Sequence, residues 1–129
     1  MSIHIEIVTP SEIAYEGDCE MASAPGFLGE FGVLDLHAQT LAVTVAGVVT
    51  LTQDQTTTKF VVGPGFAEVG ADRVTLLVDQ CESGEDVDKA QAQKDLDAAF
   101  AALKLHSADS DEGMQARKQA DLAMARLAV

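Results

Sequence analysis

Apolar and polar residues alternate from the start of the chain: Ile3, Ile5 and Ile7 are interleaved with His4, Glu6 and Val8, and Pro10 ends the run. A period of two marks a strand with one buried face, so residues 3–8 are predicted as a strand. Similar short runs follow at 18–24, 41–46, 48–53, 58–62, 66–69 and 73–79. Between them stand Gly17, Pro25-Gly26, Gly47, Asp54-Gln55, Gly63-Pro64-Gly65 and Gly70-Ala71-Asp72, each with the chemistry of a turn. Many short strands with close turn signals predict an antiparallel sandwich or barrel, not a parallel sheet with crossover helices.

The period changes after residue 85. Ser83-Gly84-Glu85-Asp86 reads as a helix start with acids at the positive end of the dipole, and Ala92, Leu96, Ala99 and Leu103 then recur on one helical face. Past a polar break at 106–110, Ala116, Ala120, Ala123 and Leu127 repeat the spacing. Two matching stripes of small residues predict closely packed helices. The expected fold is therefore α+β: an N-terminal antiparallel β-sandwich over 1–85 and a C-terminal antiparallel two-helix hairpin over 86–129. Alanine buries little area, so at about 25 cal/mol per Å² the hairpin coheres weakly by itself. It needs the sandwich or a partner to cover it and is expected to be the more mobile half.

Composition divides at the same place. Residues 1–85 hold 11 of the 13 valines, all 9 threonines and 9 of the 10 glycines, whereas 86–129 hold 12 of the 20 alanines. The net charge of -13 divides too, into 13 acids against 2 bases in the first part and 8 against 6 in the second. That much negative charge repels phosphate backbones and anionic head groups, so neither nucleic acid nor direct lipid binding is expected. No uncharged apolar stretch of membrane-spanning length and no basic leader are present, which predicts a soluble chain in a cytosolic setting. Cys19 and Cys81 mark no disulfide scaffold and read as small packing residues.

Candidate chemistry is sparse. His4, His37, His106, Cys19 and Cys81 have no metal-ligand spacing, and no Gly-x-Ser-x-Gly elbow is present. Gly63-Pro64-Gly65 leads into strand-like residues, not into a helix as a phosphate loop does, and reads as a tight turn. No catalytic, cofactor-binding or metal-binding residue is therefore expected. The loop 25–38 is richer: Phe27, Leu28 and Phe31 stand among three evenly spaced glycines with Glu30, Asp35 and His37. It reads either as a strand bent at each glycine or as a contact surface for another protein, its carboxylates seeking a basic partner.

Gly29-Glu30-Phe31-Gly32-Val33-Leu34, with His37-Ala38 after it, resembles the Gly-Glu-Phe-Gly-Val-Leu-Pro-Gly-His-Ala-Pro segment of the epsilon subunit of F-type ATP synthases, called delta in mitochondria. Ile5-Glu6-Ile7-Val8-Thr9-Pro10, Gly65-Phe66-Ala67-Glu68-Val69, Val74-Thr75-Leu76-Leu77-Val78-Asp79 and Val87-Asp88 resemble further stretches of that family in the same order. The resemblance implies a ten-stranded sandwich, a two-helix hairpin and no catalytic site. It implies a place in the central rotor stalk against the gamma subunit and the polar loops of the c-ring, coupling ring rotation to ATP synthesis. The hairpin would reach the catalytic alpha and beta subunits and restrain ATP hydrolysis. Glu30, Phe31 and His37 would then be interface residues, and the location would be the cytoplasmic face of a bacterial inner membrane.

Two departures modify those expectations. Asp35-Leu36 replaces the family's Pro-Gly, and Gln39 the following proline, so the geometry near His37 is expected to differ. Some members bind ATP through Ile-Asp-x-x-Arg-Ala; here Gln91 stands at the arginine position and offers no charge to phosphate, predicting weak or absent nucleotide binding. The competing reading is a free-standing small-ligand-binding β-sandwich with a helical appendage. That reading requires a closed apolar cavity, whereas a rotor subunit requires exposed apolar contact strips.

Overall fold

The computed structural model describes residues 3–26, 29–32, 40–70 and 72–129. Ten strands come first: β1 Ile3–Val8, β2 Ile13–Cys19, β3 Met21–Gly26, β4 Gly29–Gly32, β5 Thr40–Thr44, β6 Gly47–Gln53, β7 Thr56–Val62, β8 Gly65–Val69, β9 Arg73–Val78 and β10 Cys81–Ser83. A short 3-10 turn at Gly84–Asp86 leads to helices α1 Lys89–Leu105 and α2 Asp111–Ala128.

The strands hydrogen-bond in the order β10-β7-β6-β3-β5-β8-β9-β1-β2, with β4 paired to β3 off this path. Between β3 and β5 the ladder narrows to one pair, Gly26 with Thr44, and there the ribbon folds over into two layers. Alternation then does its work. Ile5, Ile7, Val74, Leu76, Val49 and Val62 are almost wholly buried between the layers, joined by Leu51, Phe60, Ala67, Val69 and Val78. Tyr15 and Phe60 meet across the layers with ring centroids 5.0 Å apart.

Several local expectations are corrected. The run 18–24 is two strands, not one, because at Glu20 the chain passes from pairing with β1 to pairing with β6. Gly17 is no turn but an interior residue of β2, where a Cβ would lie 2.9 Å from the Tyr15 hydroxyl. Gly47 and Gly65 each begin a strand. One pairing in the sandwich, β1 with β9, is parallel. The helix start lies later than 83–86: the Asp88 side chain caps α1 by accepting from the Gln91 N–H at 3.0 Å. Ser110 caps α2 in the same way through the Gly113 N–H, also at 3.0 Å.

The small-residue stripes behave as their spacing predicts. At 100° per residue, Ala116, Ala120 and Ala123 lie on one side of α2, and Leu122 and Ala125 lie opposite, and all five are buried. Leu122 and Ala125 cover Val61 of β7, with Ala46, Val48, Val87 and Val129 around them, so α2 is wedged between α1 and the outer face of β6-β7. Lys118 reaches Asp79 at 2.7 Å, and Arg126 joins Glu82 of β10 to Asp95 of α1. These two bases fasten the hairpin to the sandwich, while Arg117 pairs along its own helix with Asp121.

Two backbone positions give opposite predictions. Asp54 and Gln55 close the β6–β7 hairpin with φ of 50° and 67°, a left-handed conformation that costs a residue with a Cβ. At Gly65 a Cβ would collide with the Leu77 carbonyl and come within 2.8 Å of the Val78 Cα. Urea unfolding should show Gln55→Gly more stable by about 1 kcal/mol and Gly65→Ala less stable by about 1–3 kcal/mol.

Candidate partner-binding face

The hairpin covers the outer face of the β6-β7 layer, and the outer face of β5-β8-β9-β1-β2 carries no part of the described chain. On that face, register aligns residues strand by strand: Val43 opposite Phe66, Phe66 opposite Leu77, Leu77 opposite Val8, and Val8 opposite Ile13. Four of the five are strongly exposed, Val43 at 52%, Phe66 at 49%, Leu77 at 41% and Ile13 at 57%. Isolated exposed apolar residues need no explanation, but a continuous row across five strands marks a contact surface. At about 4.8 Å between strands the row is about 19 Å long.

The neighbouring row on the same face starts at the exposed Leu41 and is polar from β8 to β2. It runs Leu41, Glu68, Thr75, Glu6 and Glu16, and beyond it Arg73, His4 and Asp18 lie side by side. The His4 ring donates to Asp18 at 2.9 Å and to Glu16 at 3.0 Å, using both nitrogens as an imidazolium does. Bonding to Asp18, then to Glu16, raises the His4 pKa above its ordinary 6.5 against the opposing charge of Arg73. The bond from His4 holds Glu16 below its ordinary 4.5. His4, Glu6 and Glu16 bring ligand atoms within 4.8 Å of one another, but with the ring bonded at both nitrogens the arrangement is an ion-pair network.

The interface residues expected from sequence are placed only in part. Glu30 and Phe31 sit on β4, paired with Pro25 and Ala24 of β3. Gly26 pairs both with Gly29 of β4 and with Thr44 of β5, so β4 leaves from the corner at which the apolar row begins. His37 lies outside the described residues. Sequence reasoning expected exposed apolar contact strips on a rotor subunit but did not locate this row. The signal was apolar residues out of phase: β5 buries Thr44 and exposes Leu41 and Val43, β8 buries Ala67 and exposes Phe66, and β9 adds Leu77 to the buried Val74, Leu76 and Val78.

Little else on the described surface is built for chemistry. Burial pushes the Cys81 thiol up to about 11 and also raises Cys19, the opposite of an activated thiolate. The groove of about 420 Å³ lined by Pro25, Ala46, Val48, Lys59, Asp121 and Ala125 is a seam between α2 and the sheet, not an interior pocket of the sandwich. Asp88, at the position of the family's nucleotide motif, is occupied as the α1 cap, and Gln91 bonds to Asp95.

The His4 network fixes a pH dependence. A raised histidine pKa adds stability that is complete below 6.5 and lost as pH rises through the folded value; a lowered Glu16 pKa adds stability that is present above 4.5 and lost as pH falls through its folded value. The network is therefore strongest between those ordinary values. NMR titration should place the His4 pKa above 6.5 and move it down in Asp18→Asn, and the stability difference between wild type and His4→Gln should shrink on going from mildly acidic to alkaline pH.

Comparison with known proteins bears on the whole chain. A family model described as ATP synthase, Delta/Epsilon chain, beta-sandwich domain matches residues 2–84. The ATP synthase epsilon chain of Magnetococcus marinus is 37% identical over 128 residues, covering 99% of this chain and 93% of the relative. That of Nitratidesulfovibrio vulgaris is 38% identical over 130 residues, covering 99% and 95%. In fold, the chain resembles a subunit in the Euglena gracilis mitochondrial ATP synthase OSCP/F1/c-ring structure, with TM-score 0.84, 20% identity and coverage of 98% of this chain and 80% of that one. A second likeness, TM-score 0.64 at 14% identity over 97% and 96% of the chains, is to the central stalk/c-ring of the Tetrahymena thermophila enzyme. By its sandwich, its hairpin and end-to-end similarity to these relatives, the chain belongs to the ATP synthase delta/epsilon family.

Proposed function

We propose that the chain is the non-catalytic epsilon subunit in the central rotor stalk of a proton-translocating F-type ATP synthase, coupling c-ring rotation to ATP synthesis in the catalytic head. The observation that carries this reading is an exposed apolar row on one layer of a sandwich whose other layer is covered by its own helices. A protein that acts alone has no use for such a row, whereas a subunit held in an assembly buries it. Relatives named ATP synthase epsilon chain match over 93% and 95% of their length, which supports the same reading.

In this assignment the gamma subunit covers the outer face of β5-β8-β9-β1-β2, and the corner carrying Glu30 and Phe31 meets the polar loops of the c-ring, with His37 a further interface residue of the same contact. A carboxylate at that corner suits a basic ring loop. The subunit is a peripheral part of the membrane complex on the cytoplasmic face of a bacterial inner membrane; no helix among the described residues is long and apolar enough to cross a membrane. The hairpin restrains ATP hydrolysis by leaving the sandwich and reaching the alpha and beta subunits.

Affinity purification of the tagged chain from its native membranes should recover gamma, alpha, beta and c subunits with ATPase activity; recovery of the chain alone overturns the assignment. Hairpin release is tested separately. Lys118→Gln with Arg126→Gln removes the bonds to Asp79, Glu82 and Asp95. In the reconstituted complex, α2 amides should then exchange faster and ATP hydrolysis should fall; an unchanged rate with faster exchange removes the restraining role and leaves the coupling role intact.

A further inference from the structure

The apolar row has a direction and one charged flank, and together they specify what covers it. Apolar positions continue from strand to strand through Val43, Phe66, Leu77, Val8 and Ile13, yet stop within most strands, where Glu68, Thr75 and Glu6 come two residues away on the same face. The complementary surface is therefore a ridge crossing the strands. A ridge about 19 Å long equals about 13 residues of α-helix at 1.5 Å per residue. A docking strand is a poor match, because the row offers side chains on a sheet face and no free backbone edge.

Charge sets the second requirement. Along one side of the row, on the same outer face, stand Glu68, Glu6 and Glu16, with Asp18 beyond; the bases there are Arg73 and His4, and His4 is bonded to Glu16 and Asp18. Glu6 stands at the margin of that network, its carboxylate within 4.8 Å of the His4 and Glu16 ligand atoms, and Glu68 adds a carboxylate outside it, so this flank stays acidic toward a partner.

The molecule already contains one such arrangement. On the other layer, α2 lays Leu122 and Ala125 over Val61 and Val48 and sets Lys118 and Arg126 against the acids Asp79 and Glu82 of the sandwich. We infer that the outer face of β5-β8-β9-β1-β2 is occupied by an amphipathic partner helix that crosses the strands, with its apolar stripe on Val43, Phe66, Leu77, Val8 and Ile13 and a lysine- or arginine-bearing flank toward Glu6 and Glu68. This rests on the stalk assignment above and names the chemistry of the partner element at that same face.

The test uses the full chain assembled with gamma in the rotor complex. With p-benzoylphenylalanine in place of Phe66, photo-crosslinks identified by mass spectrometry should fall on a helical segment of the partner that carries apolar residues at i, i+3 or i+4 and i+7 and a basic side. Phe66→Ser with Leu77→Ser should weaken assembly by about ten-fold or more. Glu6→Gln with Glu68→Gln, an isosteric change at exposed positions, should weaken it a few-fold at low salt and flatten its salt dependence. Crosslinks on a strand or loop of the partner, crosslinks between two copies of this chain, or a salt dependence unchanged by the glutamine pair would each overturn the helix while leaving the stalk assignment standing. Failure of the wild-type chain to assemble at all overturns both.

Discussion

The pairing of β1 with β9 governs the rest of the molecule. It joins the first strand to one that follows some seventy positions later, places Ile5 beside Val74 and Ile7 beside Leu76 in the core, and is the parallel step in an otherwise antiparallel ribbon. Side chains alternate with a period of two, so a slip of one residue would turn these isoleucines outward, and burial therefore fixes the register firmly. The same register sets Val8 beside Leu77 on the outside. The core and the apolar row are two faces of one pairing, which is why the row is a reliable feature of the fold and not an accident of surface composition.

The hairpin depends on that sandwich more than on itself. Its helices meet largely through alanine, which permits close approach but removes little apolar area from water. What distinguishes α2 is burial on two opposite sides, one against α1 and one against Val61 and Val48. The second contact is small, and its ion pairs, Lys118 with Asp79 and Arg126 with Glu82, have partly exposed side chains. Pairs of that kind hold a helix in register without binding it tightly. A seam so built is stable enough to define one folded-down position and weak enough to be exchanged for a larger contact elsewhere in an assembly.

The sequence made the two architectures legible because each has its own period and alphabet. Ile3, Ile5 and Ile7 announced a strand, and the 4-3-4 alanine stripes announced helices that are buried where expected. Boundaries were harder where the chain bends without a turn-forming residue: nothing in Asp18-Cys19-Glu20-Met21 shows that Glu20 carries the chain from one layer to the other. The start of α1 was misplaced because Ser83 and Asp88 are both good caps, and Ser83 caps only the short 3-10 turn. The partner-binding face was hidden for a deeper reason. Leu41, Val43, Phe66 and Leu77 look like core residues one at a time, and only register shows that they share the wrong face.

An exposed apolar row on a separate subunit invites self-association, and the acids around it bear on that hazard. Of the net charge of -13, the sandwich residues 1–85 hold 13 acids against 2 bases. Asp79 and Glu82 are used by the hairpin, and Glu16 and Asp18 are held by His4, which leaves Glu68 beside the row and Glu6 at the margin of the His4 network. Two copies brought face to face along it would oppose these carboxylates as the apolar side chains came together, and like charges in a desolvating contact are costly. A partner with a basic flank meets the same carboxylates as attraction and is steered toward them from solution. One set of side chains thus discourages the wrong contact and favours the right one, giving the row specificity that its apolar side chains alone could not provide.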